Sequence, residues 1–143
     1  MKSLENRHLE SFPFGAEVGV RHTDLDLQKC INNVALADIF EEARTQFSVS
    51  RKLKGAFDPH RRVIEALTIA FGQDGCYPGS VDVYVGVEAI ADRSWTLRLV
   101  AAQNGQIIAA NDCTFRLLND EGQAVPLPAA LVGILEQDQI AER

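Results

Sequence analysis

No run in this 143-residue chain approaches the roughly 20 consecutive apolar residues that a membrane-spanning helix needs. The opening stretch, "MKSLENRHLESF", is too polar for a secretion signal. Cysteine is scarce: Cys30, Cys76 and Cys113 are odd in number, far apart and form no CxxC pair. That spacing suggests neither a disulfide framework nor a zinc site. It leaves Cys113, inside an apolar stretch, as a small buried side chain. Positive charge is also short, with 14 Lys and Arg against 20 Asp and Glu and a net charge of −6. Non-specific nucleic-acid binding, which depends on neutralising phosphates, is therefore not expected. Basic residues gather only in "RKLK" and "HRR", two short clusters that could bind one anionic ligand locally. A cytoplasmic, reducing location is the expectation, with no membrane and no nucleic acid as partner.

Familiar chemical signatures are missing as well. There is no GxSxG, and Ser48 and Ser50 fall within a helical pattern, so no Ser/His/Asp triad can be assembled. His8 and His60 lie in polar segments, and His22 stands where a strand should end. "GQDGCYPGS" is glycine-rich but matches no nucleotide fingerprint, and is expected to be a turn-bearing connection.

What is present is the composition of one globular domain, 46% hydrophobic and 24% charged. A single domain over residues 1–143 is expected, with no repeat, linker or low-complexity segment. "FGAEVGVRH", Phe14 to His22, alternates as a strand with Ala16, Val18 and Val20 on one face. From Val34 to about Ser50 the apolar residues Leu36, Phe40, Ala43 and Phe47 recur at helical spacing with Ile39 beside them. Asn32 or Asn33 is the natural N-cap of that helix. "KGAFDPH" is expected to break it.

Four strand-like runs follow. They are "VIEALTIAF", then "VDVYVGVEA" with Val81, Val83, Val85, Val87 and Ala89 on one side, then "SWTLRLVAA" and "QIIAANDCTFRLL". Asn104-Gly105 joins the last two as a two-residue hairpin, because both positions tolerate positive φ. "PLPAALVGILEQ" closes with a short helix. One strand, one long helix and four antiparallel strands make a two-layer α+β domain, with the sheet covering the helix.

The chemical interest lies in "HTDLDLQKCINN", residues 22 to 33. Side chains alternate in an extended segment, so Asp24 and Asp26 are expected to project to the same side. The pair can be read as polar turn residues. A magnesium site is the weaker reading, since no phosphate-binding glycine loop accompanies the pair. A third reading uses the helix that follows. Free amides at its start attract a developing oxyanion, and a carboxylate beside them is a minimal apparatus for attacking an acyl carbonyl. Further along, Asp38 and Glu42 are like charges at i,i+4, while Glu41 and Arg44 at i,i+3 can pair.

Taken together, "VRHTDLDLQKCINN" and "IFEEAR" resemble the signature of the hotdog-fold acyl-CoA thioesterases of the 4-hydroxybenzoyl-CoA thioesterase type. The matching positions are Val20, Arg21, Asp24, Asp26, Asn32, Asn33, Glu41, Ala43 and Arg44, and the later "YPGSVDVYV" and "VPLP" extend the likeness over nearly the whole chain. Lys29 and Cys30 stand where the family usually has Gly-His. The resemblance implies a hotdog fold, in which one long central helix is wrapped by a five-stranded antiparallel sheet. It also implies a homodimer or homotetramer with active sites at the subunit interface, and hydrolysis of an acyl-CoA thioester with no metal and no cofactor beyond the substrate's own CoA. Asp26 would be the catalytic carboxylate, with Asp24 and Glu41 in support. The amides of Cys30, Ile31 and Asn32 would hold the oxyanion, and Asn33 and Phe40 would bind the substrate. Arg93 and Ser94, with Arg61 or Arg62, would meet the CoA phosphates. A non-catalytic acyl- or CoA-binding protein of the same fold is the alternative.

Overall fold

The computed structural model describes residues 9–141. His8 and the first residues of the polar opening stretch lie outside them. A 3-10 turn at Leu9–Ser11 leads into β1 (Phe14–Gly19), followed by α1 (Asn33–Ser50), a five-residue α2 (Leu53–Phe57), β2 (Arg61–Phe71), β3 (Ser80–Ile90), β4 (Ser94–Gln103), β5 (Gln106–Leu118) and α3 (Ala129–Gln137). The strands form one antiparallel sheet in the order β1-β3-β4-β5-β2. This is the α+β architecture anticipated above.

α1 forms because Leu36, Ile39, Phe40, Ala43 and Phe47 share one face, and that face is buried. Its start is set by Asn32, whose Oδ1 accepts the Ala35 amide at 2.7 Å. The opposing layer comes from alternate residues of three strands: Val81, Val83, Val85 and Val87, then Trp95, Leu97 and Leu99, then Cys113, Phe115 and Leu117. Leu131 and Leu135 of α3 close the same core. A second, smaller cluster of Phe12, Val100 and Ala110 covers part of the other sheet face. In the β4–β5 turn, Asn104 and Gly105 both take positive φ, 52° and 76°, as a two-residue hairpin requires.

Three expectations are corrected. β1 ends at Gly19, because the Arg21 amide donates to Asp24 Oδ2 and draws His22–Asp24 into a 3-10 turn. The segment after α1 is not a plain break, since Leu53 and Phe57 at i,i+4 bury themselves as α2 once Lys52 has turned the chain with a φ of 54°. Ala89 does not continue the buried face of β3. A register shift between Val87 and Ala89 turns it to solvent.

β2 is an edge strand, hydrogen-bonded on one side to β5. The helix layer meets it near its start, where Arg62 Nη1 donates to Ser48 Oγ of α1, and Ile64, Leu67 and Phe71 remain exposed on it.

Candidate active site

The loop between β1 and α1 separates the two aspartates. Asp24 is only 4% exposed. Its carboxylate takes the Arg21 backbone amide at 2.8 Å and the guanidinium at 2.9 Å from Nη2 and 3.2 Å from Nε. The Arg21 hydrogen bonds hold the Asp24 carboxyl below the usual carboxylate range. Asp24 therefore does not share a side with Asp26. The 3-10 turn has removed the extended alternation, and the Asp24 carboxylate is paired with Arg21.

Asp26 is exposed. Its Oδ1 accepts the amides of Gln28 at 2.8 Å and Cys30 at 3.1 Å. Among the described residues Oδ2 has no partner. The loop is closed by the Asp26 amide on the Cys30 carbonyl and by a bridge between Leu25 and Ile31. That tight closure puts Lys29 at a φ of 65°, a conformation natural to glycine.

The amides expected to hold an oxyanion are otherwise engaged. That of Cys30 is on Asp26 Oδ1, that of Ile31 on the Gly75 carbonyl at 3.1 Å, and that of Asn32 on the Asp24 carbonyl at 2.8 Å. Among the described residues the unclaimed amides are the next two, Asn33 and Val34, in the first turn of α1. Asn33 is exposed, its side chain without a partner among the described residues, and Val34 is exposed beside it. Cys30 is partly buried, and burial, followed by the nearby charges of Asp74 and Asp26, pushes its thiol above the usual range.

The β2–β3 connection supports this loop from beneath. The Cys76 amide donates to Gln103 Oε1 at 2.7 Å, and Gln103 Nε2 returns a bond to the Cys76 carbonyl at 2.9 Å. Gly75 packs closely here, since a Cβ would lie 2.5 Å from Ile31 Cδ1 and that side chain would have to shift. His22 stacks edge-on against Tyr77 at 5.9 Å and leaves Asp24 to Arg21.

Other predicted residues lie elsewhere. Phe40 is fully buried in the core. Glu41 is exposed eight residues into α1, about 12 Å along the axis from Asn33. It borders an open groove of about 520 Å³ with Asp38, Glu42, Arg21 and Asp24. It does not pair with Arg44, which turns inward to Asn111. Arg93 donates to the Ala124 carbonyl at 2.8 Å, and Ser94 opens β4. Since the Asp26 loop docks near Gln103 at the other end of β4, the two groups are about 30 Å apart in one subunit. Among the described residues no group of three or more His, Cys, Asp or Glu is placed to hold a metal. No helix among them is long and apolar enough to cross a membrane.

No protein-family profile and no curated protein sequence matches the chain. Solved structures do match its fold. A predicted thioesterase from Bacillus stearothermophilus superposes with a TM-score of 0.81 at 24% identity, over 91% of this chain and 98% of that one. A thioesterase from Thermus thermophilus, complexed with coenzyme A and zinc, gives 0.79 at 22% identity, over 93% and 99%. A probable thioesterase from Escherichia coli gives 0.75 at 19%, over 89% and 98%. With its helix packed on a sheet of order β1-β3-β4-β5-β2, the chain has the hotdog fold of these structures.

Proposed function

We propose that the protein hydrolyses an acyl-CoA or a related thioester, with Asp26 as the acting carboxylate. The observation that carries this is the state of Asp26, an exposed residue with one oxygen fixed by two amides and, among the described residues, no partner on the other, in the loop that leads into a helix whose first two amides are unclaimed. Oδ2 takes a proton from water as the water oxygen attacks the thioester carbonyl. The carbonyl oxygen becomes an oxyanion, for which the Asn33 and Val34 amides replace the Cys30, Ile31 and Asn32 set. Collapse breaks the C–S bond, the proton on Asp26 passes to the leaving thiolate, and acid and thiol depart. Attack by Oδ2 itself, through an anhydride that water then opens, uses the same groups.

The working unit in this reading is a homodimer or a homotetramer. The exposed edge of β2, with Ile64, Leu67 and Phe71 bare, is a template for a second strand. Pairing two copies of β2 about a two-fold axis sets the strands antiparallel. The start of one β2, near Arg62 and Arg93, then lies beside the end of the other, where the Asp26 loop docks. That closes the 30 Å gap between the Asp26 loop and the residues expected to meet CoA.

A second reading, a binding protein that hydrolyses nothing, is favoured by one observation: the Cys30, Ile31 and Asn32 amides are all engaged. A screen of short, long and aromatic acyl-CoAs with free thiol as readout separates the two. Turnover of at least one class is expected, and binding without thiol release would establish the second reading.

A further inference from the structure

Cys30 and Cys76 are far apart in the sequence, and the fold brings their segments together at the candidate site. Cys30 ends the turn that positions Asp26, donating its amide to Asp26 Oδ1 at 3.1 Å. Cys76 lies in the connection between β2 and β3, where the Gln103 side chain holds both its amide and its carbonyl. One backbone bond fastens the two segments, from the Ile31 amide to the Gly75 carbonyl at 3.1 Å. Each cysteine is one residue from that bond.

The sense of the two segments follows from Gly75. In a parallel pair, a residue whose amide bonds a carbonyl faces the side chain of the residue after that carbonyl. In an antiparallel pair it faces the side chain of the bonded residue itself. A Cβ at Gly75 would lie 2.5 Å from Ile31 Cδ1 and 3.2 Å from Ile31 Cγ1, so the pairing here is antiparallel. Cys30 then stands across from Cys76. Residues opposed in this way, next to a hydrogen-bonded pair, have Cα atoms about 4.5 Å apart. A disulfide takes Cα separations of roughly 4.4–6.8 Å. The electrostatics agree: after burial and the charges of Asp74 and Asp26, the charge of Cys76 helps push the Cys30 thiol up. Both thiols are free, Cys76 exposed and Cys30 partly so.

We propose that Cys30 and Cys76 are a redox pair whose reversible disulfide ties the Asp26 turn to the β2–β3 connection and switches the site off. The oxidant is a low-molecular-weight disulfide. The exposed Cys76 thiolate attacks one of its sulfurs and expels the first small thiolate. The Cys30 thiolate then attacks Cys76 Sγ and expels the second. The two cysteines give up two protons and two electrons, which leave in the two small thiols released. In the reduced protein Cys30 Sγ lies 3.8 Å from the Gln28 carbonyl, inside the turn. Bonding to Cys76 draws it out of that contact, and the Cys30 amide that fixes Asp26 Oδ1 moves with it. The pairing stands on the cysteines' own geometry, and only its effect on turnover rests on the thioesterase reading.

Incubation of the full chain with oxidised glutathione tests it, read by intact mass, tryptic peptides and acyl-CoA turnover before and after dithiothreitol. The expected product is a single chain lighter by about 2 Da, with peptides 30–44 and 63–93 joined. Turnover should fall at least tenfold and return on reduction. Cys76→Ser, a change at an exposed side chain, should keep the turnover of the reduced protein and lose both the crosslink and the response to oxidant. A chain that yields only mixed disulfides with glutathione, or a link between the Cys76 residues of two copies, overturns the pair. A complete internal crosslink with undiminished turnover overturns the switch. If the reduced chain cleaves no acyl-CoA while the two peptides still join, the thioesterase reading falls and the disulfide stands. Cleavage by a chain that never crosslinks does the reverse.

Discussion

The guanidinium and backbone amide of Arg21 close on Asp24 from two directions, and the buried carboxylate has no other charge to answer. Its folded-state pKa is lowered, so the stability it contributes is present in full above its ordinary value of 3.8 and is lost as pH falls through the depressed folded value. Asp24→Asn should therefore cost about 1–3 kcal/mol at pH 7. Urea unfolding at a series of pH values should show the deficit shrinking below 3.8; a pH-independent deficit would contradict the assignment. Lys29 offers a second check at this scale. Its side chain sits at a φ of 65° and makes no hydrogen bond among the described residues, so Lys29→Gly should raise stability by about 1 kcal/mol in the same assay.

That strain was legible in the sequence, because the glycine of the resembled motif is replaced at that very position. The parting of Asp24 from Asp26 was not. Alternation in an extended segment is a sound rule, but one amide-to-carboxylate bond within three residues was enough to coil the chain and overturn it.

Among the elements, α1 and the four later strands follow from apolar periodicity, and the Asn32 cap and the Asn104-Gly105 turn from local chemistry. Short features escaped. α2 rests on two side chains, Leu53 and Phe57, too few to show a period, and the bulge after Val87 leaves no mark in composition. Nor does sequence reveal how α1 is tied to α3. Arg51, just past α1, grips Asp138, just past α3, with Nε on Oδ2 at 2.7 Å and Nη2 on Oδ1 at 3.0 Å, while lying over the rings of Phe14 and Phe47. Asp138 is buried and Arg51 is partly open to solvent. Asp138→Asn should cost about 1–3 kcal/mol and loosen α3 first. Hydrogen exchange that speeds in residues 129–137 before the sheet would bear this out, and uniform exchange would not.

At the scale of the molecule, the proposed reaction calls for a partner that sets the Asp26 loop of one copy beside Arg62 and Arg93 of the other. Leu67, exposed midway along β2, is the place to test that. Leu67→Glu should convert a dimer into a folded monomer by light scattering and lower turnover at least tenfold. A monomeric unaltered protein, or a fully active monomeric variant, would contradict the composite site. The most direct test of the central claim is the turnover of Asp26→Asn on whichever acyl-CoA the unaltered protein cleaves best, with thermal unfolding measured alongside. A fall of about 10²- to 10⁴-fold with an unchanged melting temperature is expected. Undiminished turnover would show that Asp26 is not the acting carboxylate.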